Sequence, residues 1–135
     1  MKPADLIARA RRSAASAKIL YGTEDMSGAC NRAYYAMFDA ARAALLAGNE
    51  PVKSGLIKTH SGLIAAFSLH LIKSGRIPAA YGRSLRQVDQ IRLVADYSDE
   101  EPDRKTAASS IEQATHFIQA IASYLATLID DRPPP

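Results

Sequence analysis

Apolar residues recur along this chain every three or four positions, the period of helices buried on one face. Leu6, Ala10, Ala17 and Leu20 mark a first helix from about Pro3 to Tyr21, with Pro3 suited to an early helical position. Arg9, Arg11, Arg12 and Lys18 occupy its other faces. Gly22 and the turn TEDMSG separate it from a second helix, about Ser27 to Ala47, which Gly48 and Asn49 end. The link NEPVKSGLIK is the longest irregular stretch. Thr59 or a neighbour then caps a third helix with inward Leu63, Ile64, Phe67, Leu71 and Ile72, and KSGRIP stops it. A fourth helix, about Ala79 to Asp96, carries the stripe Tyr81, Leu85, Val88, Ile91 and Ala95. After the acidic loop YSDEEPD comes a fifth. There Ile111, Ala114, Ile118, Ile121, Leu125 and Leu128 alternate three and four apart, the seam of a helix packed nearly parallel to others.

No alternating strand pattern, internal repeat or domain linker interrupts this. The pattern predicts an all-α fold, an antiparallel bundle of four to five helices spanning residues 1–131 as one domain. The tail of residues 132–135, RPPP, cannot continue a helix and is expected to be disordered.

The second helix is nearly apolar all round, as a buried helix is, yet CNRAYYAMFDAARAAL contains two arginines and an aspartate. On a 3.6-residue turn Arg32, Tyr35, Asp39 and Arg42 fall along one line. Asp39 and Arg42, three apart, form a local bridge of a few tenths of a kcal/mol, roughly 0.2 to 0.5. Alternatively the line faces another helix, a second subunit or an anion, since a charge on so apolar a surface needs a partner.

Charge is distributed unevenly behind a net +3. Residues 53 to 92 carry seven basic groups against Asp89 alone, whereas residues 93 to 135 hold eight acids and three bases. The asymmetry admits an anionic partner, though solvated helix faces produce it equally well. The single cysteine, Cys30, excludes an internal disulfide and a Cys-rich zinc site and reads as a small core residue. The longest apolar stretch is too short to span a bilayer, and the first residues lack the apolar segment of a secretory signal. The expectation is a cytoplasmic protein without membrane contact.

Other chemistry is sparse. Lys58, Thr59 and His60 sit at a helix start, where backbone N–H groups favour an anion, although such residues more often only cap the helix. Glu112 and His116 have the wrong interval for the Glu-x-x-His element of di-iron bundles. Neither a phosphate-cradling glycine loop nor a nucleophile–histidine spacing is present. No metal and no cofactor is expected.

Three runs, NRAYYAMFDAARAAL at 31–45, KTHSGLIAAF at 58–67 and QIRLVADY at 90–97, resemble in this order the HEPN domains (higher eukaryote and prokaryote nucleotide-binding), in their small stand-alone prokaryotic branch. The resemblance implies an antiparallel bundle that forms a homodimer and partners a minimal nucleotidyltransferase in a toxin–antitoxin-type system. It also raises metal-independent ribonuclease activity. That activity relies on an arginine followed four to six residues later by a histidine, which moves the ribose hydroxyl proton while the arginine holds the phosphate. Here Arg92 is followed in that window by Tyr97, Ser98 and Asp99, with no histidine. Asp96 is four residues from Arg92 and pairs with it more readily than it replaces the histidine. Tyr97 matches the tyrosine that a partner enzyme modifies by AMP transfer in active relatives, or it simply closes the helix.

The sequence therefore leads to a non-catalytic HEPN-like interaction module. Its polar surface would be shared by the second and fourth helices: Arg32, Tyr35, Asp39, Arg42, Arg92, Asp96 and Tyr97. The alternatives are an RNA binder or ribonuclease using Arg92 with Asp96 or His60, and a bundle that binds a small nucleotide.

Overall fold

The computed structural model describes residues 1–48 and 56–130. The expected tail at 132–135, and most of the link before the third helix, lie outside them. Among the described residues five α-helices appear in order: α1 Pro3–Gly22, α2 Met26–Ala47, α3 His60–Phe67, α4 Ala79–Tyr97 and α5 Arg104–Asp130. A short 3-10 turn, Leu56–Lys58, precedes α3. A π-helical turn, Ser68–Ile72, continues α3. Among the described residues there is no strand, and the fold is the all-α bundle that the periodicity predicts.

Side-chain caps explain where α2 and α3 begin. The Asp25 carboxylate accepts from the Gly28 amide at 2.8 Å and starts α2, and the Thr59 hydroxyl accepts from the Gly62 amide at 3.1 Å and starts α3. The glycine at 28 leaves room for that cap, since a Cβ there would lie 2.3 Å from an Asp25 carboxylate oxygen and would push the side chain aside. Gly82 gives α4 a close approach to the π turn, its hypothetical Cβ 3.2 Å from Ile72 Cγ1.

α2 is the central rod, packed against α1, α3, α4 and α5. Ala29, Ala33, Ala36, Ala40, Ala41, Ala43 and Ala44 are all fully buried along it. Without side chains beyond Cβ, they let the surrounding helices come close. Larger side chains fill what remains: Tyr34 and Met37 from α2, Leu6 from α1, Leu63 and Phe67 from α3, Leu85 from α4, Phe117 and Ile121 from α5. Phe67 and Phe117 meet at a centroid distance of 5.5 Å. The α5 seam is as expected through Ile121, with Leu125 and Leu128 half-buried, and Phe117 and Tyr124 join it.

The α4 stripe is as expected at Leu85 and Val88, with Tyr81, Ile91 and Ala95 half-buried; what the stripe did not include is that Asp89 and Arg92 also point inward. The inward face is turned toward polar residues because Asp89 and Arg92 neutralise each other there. Among the described residues no helix is long and apolar enough to cross a membrane.

Candidate functional site

Successive residues on a helix point about 100° apart, and Tyr34 and Tyr35 use that angle to face two different polar environments. Tyr34 is fully buried and looks toward α3 and α4; Tyr35 is half-buried and looks toward the groove beside α1.

The inner environment centres on Arg92. Its guanidinium lies 4.6 Å from the Tyr34 ring centroid, within cation–π range. It donates to Asp89 at 2.8 Å and to Asp96 at 3.2 Å. The expected Arg92–Asp96 pair thus exists, but Asp89 is the nearer partner. Asn31 of α2 donates to Asp96 at 3.4 Å. Tyr34 Oη and His60 Nδ1 are 2.8 Å apart. Burial pushes the phenol's pKa up, so Tyr34 keeps its proton and is hydrogen-bonded to Nδ1 as a neutral phenol. The His60 ring is walled by Tyr34, Tyr35 and Phe38, with centroids 5.3, 5.8 and 5.3 Å away. Burial, then the nearby positive charge of Arg92, lowers the His60 pKa below its ordinary value. His60 is therefore a neutral imidazole near pH 7, fixed by a buried phenol.

The outer environment is the aligned stripe of α2. Arg9 of α1 grips Asp39 with two parallel bonds, Nε to one carboxylate oxygen and Nη2 to the other, each 2.8 Å. Asp39, only 6% exposed, is thereby satisfied, and the bond pushes the Arg9 pKa further up. Arg32 donates to the Ser13 hydroxyl of α1 at 2.9 Å and approaches the Tyr35 ring to 5.8 Å. Arg42 stands 3.9 Å from Asp39, beyond hydrogen-bond length, and its buried Nε has no partner. Arg9, Arg32, Tyr35, Phe38, Asp39 and Arg42 line an open cavity of about 360 Å³.

The residues expected to form one surface between α2 and α4 thus fall into two neighbouring sites that share an aromatic wall. Arg32, Tyr35, Asp39 and Arg42 face the groove beside α1, where Arg32 and Asp39 find their bonded partners. Arg92 and Asp96 belong to the inner cluster. Tyr97 stands at the end of α4, 82% exposed. Of the residues considered for an anion at the start of α3, Lys58 and Thr59 are exposed, Thr59 caps the helix, and His60 turns inward to Tyr34.

Sequence reasoning missed Arg9, Ser13, Tyr34 and Asp89. Asp89 was recoverable, since it precedes Arg92 by three residues as Asp39 precedes Arg42. Nothing in the sequence ties Arg9 to a carboxylate thirty positions away. Among the described residues no cluster of three metal-binding side chains occurs.

A five-helix bundle among the described residues is the class the fold defines, and the family comparison agrees with that fold. The HEPN domain model matches residues 4–124, and the chain belongs to that family. It is 36% identical to a UPF0332 protein of Gloeobacter violaceus, over 90% of this chain and 94% of that one. It is 34% identical to a protein of Methanocaldococcus jannaschii that bears the name "Putative toxin", over 92% of this chain and 89% of the relative. A UPF0332 protein of Thermotoga maritima is 31% identical, over 89% of this chain and 88% of its own.

Proposed function

We propose that this chain is a non-catalytic, homodimeric HEPN module of a toxin–antitoxin-type unit whose partner is a nucleotidyltransferase. The toxin name of the relative in Methanocaldococcus jannaschii supports the unit. The non-catalytic reading rests on Arg92. A ribonuclease needs that guanidinium to meet a phosphate, whereas here it is 4% exposed and held between two carboxylates. A phosphate arriving there must displace Asp89 or Asp96 and leave a buried charge without a partner.

Contact with the partner falls to the outer end of α4. Tyr97 and Val94 are exposed there, three residues apart on one helix face, beside the half-buried Leu93. Large apolar groups on a helix end rich in charge are a docking feature. Tyr97 is also the position that AMP transfer from the partner would reach.

Tagged chain co-expressed with the nucleotidyltransferase encoded beside it should capture that enzyme. Tyr97→Ala with Val94→Asp should abolish capture at unchanged helix content. Undiminished capture by the variant would refute this surface. Mass spectrometry of the co-expressed chain should show an added AMP that Tyr97→Phe removes.

A second reading, an RNA-directed enzyme, is favoured by one observation: Arg92 and His60 sit on the same Tyr34 side chain. His60 would then do the work of the histidine missing from the motif. Incubation with single-stranded RNA decides between the two. RNA left intact supports the module, and cleavage that His60→Gln removes at unchanged helix content supports the enzyme.

A further inference from the structure

We infer that the groove between α1 and α5 is a docking site for an acidic amphipathic helix of a different protein. The inference stands apart from the partner reading, which concerns the end of α4: neither Val94 nor Tyr97 lines this groove.

Shape is the first argument. α1 and α5 run antiparallel, since Arg104 at the start of α5 lies 4.8 Å from the ring of Tyr21 near the end of α1. The trough between them is open and has a volume of about 610 Å³. It runs from Arg11 to Lys18 along α1 and from Thr115 to Ala126 along α5, roughly 10 and 16 Å at 1.5 Å per residue, or about two to three helical turns. Buried Ala14 and Ile118 and half-buried Ala122 line it. Alanines let a third backbone come close, and the valley between two packed helices takes the apolar face of another.

Charge is the second. Arg11 and Lys18 stand seven residues apart on the α1 wall, two turns of the helix. Both are exposed, and among the described residues neither side chain has a hydrogen-bond or ion-pair partner. The α5 wall is uncharged, and no described carboxylate lines the groove. A docked helix with carboxylates two turns apart along one edge meets both cations, as edge charges do when they set partner choice between paired helices.

The same charges oppose a second copy as the occupant. A twofold contact sets one patch against itself, which here brings Arg11 and Lys18 of two subunits together with no lining carboxylate to offset them. A different protein supplies the acids that this groove lacks.

The test is fluorescence anisotropy of the full chain with a labelled, lactam-stapled helical peptide. One face of the peptide is alanine and leucine, glutamates stand seven residues apart along one edge of that face, and the rest is glutamine. A twin peptide carries lysine at the glutamate positions. The glutamate peptide should bind at least about tenfold tighter than its twin, and added salt should narrow the gap. Arg11→Glu with Lys18→Glu should invert the preference. Lys73→Glu with Arg83→Glu, the same charge change at exposed positions elsewhere, should keep it. Ala126→Tyr, at an exposed position in the trough, should weaken the glutamate peptide about tenfold at unchanged helix content. Equal binding of the two peptides, equal effects of the two charge reversals, or no binding at millimolar concentration would each overturn the inference. So would self-association of the chain that Ala126→Tyr removes, which assigns the groove to a second copy, or dodecanoate displacing the peptide, which assigns it to a carboxylate amphiphile.

Discussion

Arg42 and Arg92 each follow an aspartate by three residues on a helix, and the packing sends them to opposite ends. Asp89 gives Arg92 a 2.8 Å bond, whereas Asp39 is taken by Arg9 and leaves Arg42 at 3.9 Å. Replacing Arg9 with alanine should therefore cost about 1–3 kcal/mol, because buried Asp39 loses both hydrogen bonds. Urea denaturation of Arg9→Ala measures it, and a cost below a few tenths would show that Arg42 takes over. His60 gives a pH signature. Its folded-state pKa is lowered, so the unfolded chain binds its proton first as the pH falls. Stability contributed by neutral His60 is present above the unfolded pKa, about 6.5, and is lost as pH falls below it. Wild type should lose more stability than His60→Gln between about pH 7.5 and 5; parallel losses would mean that the imidazole is not shielded.

At the scale of elements, α2 determines the fold. Its seven fully buried alanines carry no slack, so Ala40→Leu should cost at least about 1–3 kcal/mol through forced repacking. Gly28→Ala pushes the Asp25 carboxylate out of its capping position and should cost about 1 kcal/mol. A thermal melt of each variant checks both; an unchanged Gly28→Ala would show that the cap tolerates a shift. Helix positions were legible in the sequence because apolar period and caps act locally: Thr59 was read as a cap and is one. The face of α4 was legible at Leu85 and Val88, but its inward charges were not: only tertiary pairing decides that Asp89 and Arg92 are buried beside them. Likewise the aligned stripe of α2 was visible, but its partners Arg9 and Ser13 belong to a separate helix whose rotation no local pattern fixes.

At the scale of the molecule, the acidic segment before α5 ties the bundle together. Glu101 accepts from the Met26 amide at 3.2 Å, at the first residue of α2. Arg104 pairs with Glu24 and lies 4.8 Å from the Tyr21 ring. The α1–α2 turn is thereby fastened to the start of α5, a pairing of distant segments within one unit. The two polar sites on this frame tie different helices: the inner cluster holds α2, α3 and α4 together through the buried Arg92, and the outer one joins α1 to α2 through Arg9 and Asp39, with Arg42 at its margin. The most direct measurement of that division is the urea stability of Arg92→Met beside Arg42→Met. The account predicts a loss of about 3 kcal/mol or more for Arg92→Met, since it strands buried Asp89, and less than about 1 kcal/mol for Arg42→Met. An Arg92→Met protein as stable as wild type would contradict it, because an arginine that the fold does not need would again be available for chemistry.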